Sequence, residues 1–143
     1  MGNSNARITS RIPTAVYCRG FYGLARQLLE SPRGMESAGL YFGFRRGAVW
    51  YCTRYYSVGN ISGVPCRFEM DPWGVVVAHK SAERYGLELV AVFHTHPRGA
   101  PVPSVLDRRS MRLWPVPWII ASPRGVRAWM LKGREAVEVA LSF

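Results

Sequence analysis

Two histidines and an aspartate in the second half of the chain have the spacing of a metal site. His94 and His96 stand at i and i+2 after an apolar run, so both imidazoles point to the same side of a strand. A loop stiffened by three prolines then returns to a helix that opens at Ser104 and carries Asp107 in its first turn. Two neutral imidazoles and one carboxylate leave the fourth position of a tetrahedral zinc open, which is typical of catalytic sites.

Each half of this motif also has a simpler explanation. Ser104-x-x-Asp107 alone is an ordinary helix capping box, and two histidines that end a strand can be polar loop residues. The two halves joined by a proline-rich loop at the end of a buried strand favour the metal site. Cupins and zinc-dependent nucleobase deaminases are disfavoured, because no Glu closely follows H-x-H and both H-x-E and P-C-x-x-C are missing.

The segment HTHPRGAPVPSVLD resembles the signature of the JAMM (JAB1/MPN/Mov34) metalloproteases, which is H-x-H, seven residues and S-x-x-D. It matches that signature at every defined position. The family also carries an upstream Glu in a segment E-x-C-G-x-L-x-G. The segment ESAGLYFG from Glu36 is similar, with Ala38 where Cys is common. The resemblance extends over essentially the whole chain, so residues 1–143 are expected to be one JAMM domain of the minimal prokaryotic or archaeal type.

This resemblance implies a fold, an activity and a division of roles. The fold is an α/β cytidine-deaminase-like sandwich, with one mixed β-sheet flanked by about three helices. The activity is zinc-dependent hydrolysis of isopeptide or peptide bonds at the C-terminus of ubiquitin-like modifier proteins. With one Zn²⁺ per chain, His94, His96 and Asp107 correspond to the metal ligands. Glu36 corresponds to the general acid/base and Ser104 to the contact with the developing oxyanion.

Three other functions stay open from the sequence. Processing of a sulfur-carrier ubiquitin-like protein would use the same catalytic residues. RadC-like proteins, a nucleic-acid-associated branch, carry a similar motif but usually add a helix-hairpin-helix region, for which the residues before Glu36 leave no room. A zinc-free scaffold is disfavoured because all the ligands are present.

The charge of the chain points to an acidic or polyanionic partner. The formal net charge is +10, from 19 basic and 9 acidic residues, and all but two of the basic residues are Arg. Arg98, Arg108, Arg109 and Arg112 flank the expected ligands, so several of them should rim the site and steer an acidic ubiquitin-like partner. Nucleic-acid binding is the less favoured alternative, and the charge also fits an ordinary solvated Arg-rich surface.

Hydrophobic periodicity predicts the elements that must position the motif. They are a strand near Ile8 to Ile12; a helix capped by Thr14 with Tyr17, Phe21, Leu24 and Leu28 on one face; strands over 36–44, 48–58 and 67–70; a helix from the cap Asp71 to Gly86; a central strand over 87–93; a helix over 104–113; and strands over 118–121, 126–131 and 137–143.

Cysteine usage and hydropathy indicate the cellular compartment of the protein. The three cysteines include no C-x-x-C pair, which disfavours a cysteine zinc site, although a bridge between Cys52 and Cys66 is conceivable in adjacent extended segments. No apolar run approaches the roughly 18 residues of a membrane span, and the N-terminus has no signal core. A cytoplasmic protein without membrane contact is therefore expected, with its oligomeric state open.

Overall fold

A computed structural model describes residues 12–30 and 34–143 of the chain. The expected strand near Ile8 to Ile12 lies outside these residues except for Ile12, which is not in a strand. The elements in chain order are β1 (Ala15–Cys18), α1 (Phe21–Leu29), β2 (Ala38–Arg46), β3 (Val49–Val58), α2 (Pro72–Glu83), β4 (Glu88–Thr95), α3 (Val105–Met111), β5 (Trp118–Ser122), β6 (Gly125–Lys132) and β7 (Glu135–Ser142).

The seven strands form a closed barrel in the order β1-β3-β2-β4-β5-β6-β7. The expected sandwich, one sheet flanked by helices, is therefore wrong, although the mixture of helices and strands is as predicted. The physical reason is β1, which pairs in parallel with β3 on one side and with β7 on the other. This strand joins the two edges that an open sheet would leave unpaired, and the three helices are short.

The sequence prediction placed this closing strand in the first helix. Tyr17 fits a helical spacing with Phe21 and Leu24, but burial alternates from Ala15 to Cys18 as in a strand, with Val16 and Cys18 facing the core. Gly20 then takes a left-handed conformation with φ of 75°, and the helix begins only at Phe21. The chain reverses here because glycine adopts positive φ at little cost.

The core strand β4 was predicted well and positions the candidate site. It lies between β2, which is antiparallel, and β5, which is parallel, and its apolar residues from Val90 to Phe93 are fully buried. The strand continues two residues past Phe93, so that His94 and Thr95 belong to it. Burial on both faces explains the nearly continuous apolar run of this segment.

The segment between β3 and α2 differs in part from the prediction. Residues 67–70 form no strand, and a single bridge joins Asn60 to Met70. The cap of α2 is confirmed, because the Asp71 side chain accepts a hydrogen bond from the Trp73 amide at 3.1 Å and Pro72 opens the helix. The loop 59–71 consequently runs beside the barrel as irregular structure.

Strand β2 packs so closely that two of its glycines have no room for a side chain. A Cβ on Gly39 would collide with the ring of Tyr55, and one on Gly43 would collide with the Tyr51 carbonyl. Gly43 also lies at a β-bulge in the pairing of β2 with β3. Glycine is therefore required here for close approach and not for a turn.

The disulfide of the structure joins Cys18 to Cys52, which are direct neighbours in the pairing of β1 with β3. Cys66 is free and exposed, so the conceivable bridge between Cys52 and Cys66 is wrong. The sequence alone does not show whether Cys18 or Cys66 is the partner of Cys52, because the answer depends on the pairing of β1 with β3. In the described part of the chain, no helix combines the length and the hydropathy needed to span a membrane.

Candidate metal centre

The three expected ligands converge at one end of β4. The Nε2 atoms of His94 and His96 lie 2.9 Å apart, and Asp107 Oδ2 lies 3.1 Å from each of them. His94 is completely buried and Asp107 nearly so, while His96 reaches partly into solvent. The spacing in the sequence thus predicted which side chains meet.

Helix α3 holds the Asp107 carboxylate through its own N-terminus. The Ser104 amide donates to Asp107 Oδ2 at 2.9 Å, and the Asp107 amide donates to Ser104 Oγ at 3.1 Å. The capping box and the ligand cluster are therefore both present, and the same carboxylate oxygen serves both. A cap that fixes the first turn of the helix also fixes the direction of this carboxylate.

The loop after β4 fixes the ring of His96. Its backbone amide donates to the Ala121 carbonyl at 2.8 Å, and its Nδ1 lies 2.9 Å from the Ala100 carbonyl. A ring nitrogen next to a carbonyl must carry the proton, so in the neutral ring Nε2 keeps its lone pair. The loop itself is held by Trp129, whose indole nitrogen donates to the Pro101 carbonyl at 2.7 Å.

The ring of His94 is packed between aromatic side chains that sequence analysis did not connect with the site. Phe68 stacks on it with ring centroids 4.4 Å apart, and Trp118 meets it edge-on at 5.6 Å. His94 Nδ1 is buried and has no hydrogen-bond partner within the described residues. Trp118 could have been found through the pairing of β5 with β4, whereas Phe68 lies in an irregular loop that carries no such signal.

Glu36 lies beside the imidazoles but further away than Asp107. Its side chain is 6% exposed, and its Oε1 is 3.9 Å from His96 Nε2. Three hydrogen bonds hold this segment. Asn60 Nδ2 donates to the Glu36 carbonyl at 2.8 Å, the Ser37 amide donates to Thr95 Oγ1 at 2.8 Å, and the Thr95 amide donates to the Ser37 carbonyl at 2.9 Å. Asn60 is a site residue that sequence analysis missed, since only its place in a turn was visible.

The pKa values of the two carboxylates, Glu36 and Asp107, are shifted in opposite directions. Burial raises the pKa of Glu36 to about 7; the charge on His96 opposes this shift and the negative charge of Asp107 reinforces it. Burial would also raise the pKa of Asp107, but hydrogen bonds from the two histidines hold it well below its usual range. Asp107 is therefore the permanently charged carboxylate, and Glu36 is the one that exchanges protons near neutral pH.

The histidines are shifted in opposite directions. Burial lowers the pKa of His94 despite its hydrogen bond to Asp107, so its ring is held neutral. Burial would likewise lower the pKa of His96, but the hydrogen bond to Asp107 and the contact with the Ala100 carbonyl raise it on balance. Neutral imidazoles are the form that binds a metal, and a cation would displace any proton on His96.

The donor set fits a small divalent cation. An ion bound tetrahedrally at about 2.0 to 2.1 Å from nitrogen and oxygen holds its ligand atoms about 3.3 Å apart. The three separations among His94, His96 and Asp107 are 2.9 to 3.1 Å, close to that value. Glu36, His94 and His96 also offer one ligand atom each within 4.8 Å of one another, a looser grouping with the same imidazoles.

Comparison with known proteins decides the family. A family model for prokaryotic homologues of the JAB domain matches residues 24–132. The chain belongs to this JAB-domain family. The resemblance expected from the sequence motif is thus confirmed, and the matched range includes Glu36 and the three expected ligands.

Two curated relatives of this JAB domain have names that describe a cleavage activity. A probable TtuB-protein conjugate cleaving protease of Thermus thermophilus is 36% identical over 134 residues, which is 85% of this chain and 85% of that protein. A desampylase of Pyrococcus furiosus is 37% identical over 81 residues, 56% of this chain, and the match spans only 58% of that protein. A solution structure from Desulfitobacterium hafniense, at 23% identity, shares the fold over 89% of this chain and 90% of its own, with a TM-score of 0.75.

Three adjoining cavities form a groove past the expected ligands His94, His96 and Asp107, between loop 59–71 and α3. Their volumes are about 220, 30 and 360 Å³. The first two share Glu36, Cys66 and Ser104, and the second and third share Phe68 and Ser110. An extended chain lying in this groove would pass directly over Glu36 and Ser104.

The arginines expected around the site are divided between two places. Arg98 lines the first cavity together with His96. Arg108, Arg109 and Arg112 instead line a separate cavity of about 200 Å³ on another face of α3. The expectation that several of the four rim the site is therefore wrong for these three, because the helix that carries Asp107 turns them away from it.

Proposed function

We propose that this JAB domain is a zinc-dependent protease that cleaves isopeptide or peptide bonds at the C-terminus of ubiquitin-like modifiers. The observation that carries the proposal is the convergence of His94, His96 and Asp107 beside Glu36 in an open groove. The activities for which the Thermus and Pyrococcus relatives are named, a conjugate-cleaving protease and a desampylase, support it.

In this proposal His94, His96 and Asp107 hold one zinc ion. Their nitrogen and carboxylate donors suit zinc, and a set of three protein ligands is the pattern of catalytic rather than structural sites. When bound, zinc lowers the pKa of a coordinated water to about 7 and polarises a carbonyl oxygen.

Glu36 is proposed to move the proton. A carboxylate with a pKa near 7 can accept a proton from the attacking water and can deliver it to the leaving amine at the same pH. Its 3.9 Å separation from His96 Nε2 leaves it next to the ligand cluster without being packed into it. The hydrogen bond from Asn60 to its backbone carbonyl keeps it in that place.

Ser104 is proposed to stabilise the negative charge that develops on the substrate carbonyl oxygen. Its Oγ accepts a hydrogen bond from the Asp107 amide, and a hydroxyl that accepts in this way still has its own proton to donate. Ser104 is exposed and lines the same cavity as Glu36. Donors of this kind act by facing the charge that forms during the reaction.

Cleavage of a defined substrate tests the proposal. A ubiquitin-like modifier is fused at its carboxyl terminus to a reporter protein, and a second substrate carries the same modifier on a lysine side chain. We expect the metal-free protein to cleave neither, and activity to return with one equivalent of Zn²⁺. Activity that persists in a chelator, or no cleavage with zinc present, would contradict the proposal.

The same assay addresses the processing of a sulfur-carrier protein, since a third substrate with only a short peptide tail would then be preferred.

The proposal also treats residues 1–143 as one domain, which is supported by the barrel that joins β1 to β7. The cytoplasmic location stays a prediction.

A further inference from the structure

Helix α3 has three faces with different surroundings. Asp107 and Met111 point inward and are buried. Leu106 and Ser110 line the groove beside the ligand cluster. The remaining face carries Val105, Arg108, Arg109 and Arg112, whose spacing of three, four and seven residues places them in one row.

This third face belongs to a basic cavity, which we call the basic face. Its lining consists of Val105, Arg108, Arg109, Arg112, Leu131 and Arg134. Among the residues that the structure describes, none of the four arginines has a carboxylate within 4.0 Å, whereas Arg45 and Arg127 each do. Four arginines thus line one hollow with no carboxylate of the described residues within 4.0 Å of them, which favours an anionic ligand.

Exposed apolar residues in and next to the basic face favour a protein partner over a nucleic acid. Val105 is 67% exposed and Leu113, just past the helix, is 81% exposed. Arginine is enriched at protein interfaces and the buried centre of an interface is more apolar than its rim, so arginines beside exposed apolar side chains fit a protein partner. No aromatic ring lines the cavity, so bases have nothing to stack on. A second copy of the chain is disfavoured as the occupant, because each copy carries a net charge of +10.

We propose that the basic face docks an acidic surface on the folded body of the ubiquitin-like modifier; this inference rests on the proposed function. The groove and the basic face lie on two sides of the same helix, which with its side chains is about 10 to 12 Å across. A modifier whose tail enters the groove therefore has its body within reach of the arginines. The face sets affinity for the modifier, and the ligand cluster performs the cleavage.

Steady-state kinetics on two substrates test the docking. One is a folded acidic modifier fused to a reporter, and the other is a peptide of its last ten or so residues with the same reporter. The double variant Arg108→Gln/Arg112→Gln is compared with Arg26→Gln/Arg84→Gln, two exposed arginines on α1 and at the end of α2. Both variants lose the same charge, so a general effect of net charge is controlled.

We expect the basic-face variant to raise the KM for the folded modifier at least tenfold, with kcat changed less than twofold. The effect should shrink as salt is added. Hydrolysis of the tail peptide should change less than twofold, and the control variant should resemble wild type with both substrates. An equal KM for the folded modifier in the two double variants would overturn the docking.

Binding separates a failure of the docking from a failure of the proposed function. If wild type cleaves neither substrate, the proposed function is wrong. The docking is then tested by calorimetry, which measures the affinity of each variant for the uncleaved modifier. Weaker binding in the basic-face variant alone supports the docking, and equal binding in both variants overturns it.

A nucleic-acid partner is tested separately. Duplex DNA and single-stranded RNA are titrated at about 0.15 M salt. Nucleic-acid binding lost only in the basic-face variant, with modifier binding unchanged, also overturns it.

Discussion

The Glu36 carboxyl is the group whose protonation the proposed reaction requires. Glu36→Gln keeps the size of the side chain but cannot accept a proton, so we expect kcat to fall by at least about two orders of magnitude. Zinc content should stay at the wild-type value. Cleavage of the modifier fusion at saturating substrate measures the effect, with Glu30→Gln as the control because Glu30 is an exposed acid at the end of α1. A Glu36→Gln protein with most of the wild-type rate would rule out this role.

The same residue sets a pH dependence of stability in the metal-free protein. The pKa of Glu36 is about 7 in the folded state, above the 4.5 of an unperturbed Glu, so folding favours the protonated form. Wild type therefore loses stability as the pH rises from about 4.5 to 7, whereas the neutral Glu36→Gln protein does not lose this contribution. Thermal unfolding should give equal midpoints near pH 4.5 and a higher midpoint for the variant at pH 8. A variant less stable than wild type at pH 8 would contradict the burial argument.

At the scale of elements, the candidate site was more predictable than the strands around it. H-x-H on β4 and S-x-x-D on α3 are local patterns, and local geometry fixes where their side chains point. Asn60 and Phe68 reach the site from a loop whose path depends on tertiary contacts, so the sequence alone could not assign them. The strand Ala15–Cys18 was mistaken for helix because its burial depends on two partners that lie far away in the chain.

Strand β2 provides a test of close packing. Gly43→Ala places a methyl group against the Tyr51 carbonyl, which is backbone and cannot rotate away, so we expect a loss of about 1 to 3 kcal/mol in the free energy of unfolding. Gly23→Ala, in α1 with open space around it, should instead gain about 0.5 to 1 kcal/mol. Urea denaturation of both variants measures the difference. Equal stabilities would show that β2 is not packed as described.

For the whole molecule, the decisive feature is the closure of the barrel by β1. The sequence predicted most of the other strands, but closure depends on pairing between residues that are more than a hundred positions apart, such as Ala15 with Ala140. Periodicity within a segment carries no information about such partners. The JAMM resemblance predicted the family correctly and the helix-flanked sandwich incorrectly, because the motif residues lie on β4 and α3 and say little about β1.

The disulfide tests the position of this closing strand. The bridge from Cys18 to Cys52 spans 34 residues, so its removal should cost about 2 to 4 kcal/mol through the greater freedom of the unfolded chain. We expect a reductant to lower the unfolding midpoint of wild type and of Cys66→Ser alike, since Cys66 is free. In Cys18→Ser the reductant should have no effect. If Cys66→Ser alone lost its response to the reductant, the pairing would be wrong.

Zinc stoichiometry in purified variants tests the central claim most directly, since two ligand groupings share His94 and His96 and differ in whether Asp107 or Glu36 completes them. We predict about one zinc per chain in wild type and in Glu36→Gln, measured by elemental analysis after dialysis against a weak chelator. We predict none in His94→Ala, His96→Ala or Asp107→Ala. Stoichiometric zinc in Asp107→Ala together with its loss in Glu36→Gln would contradict the account.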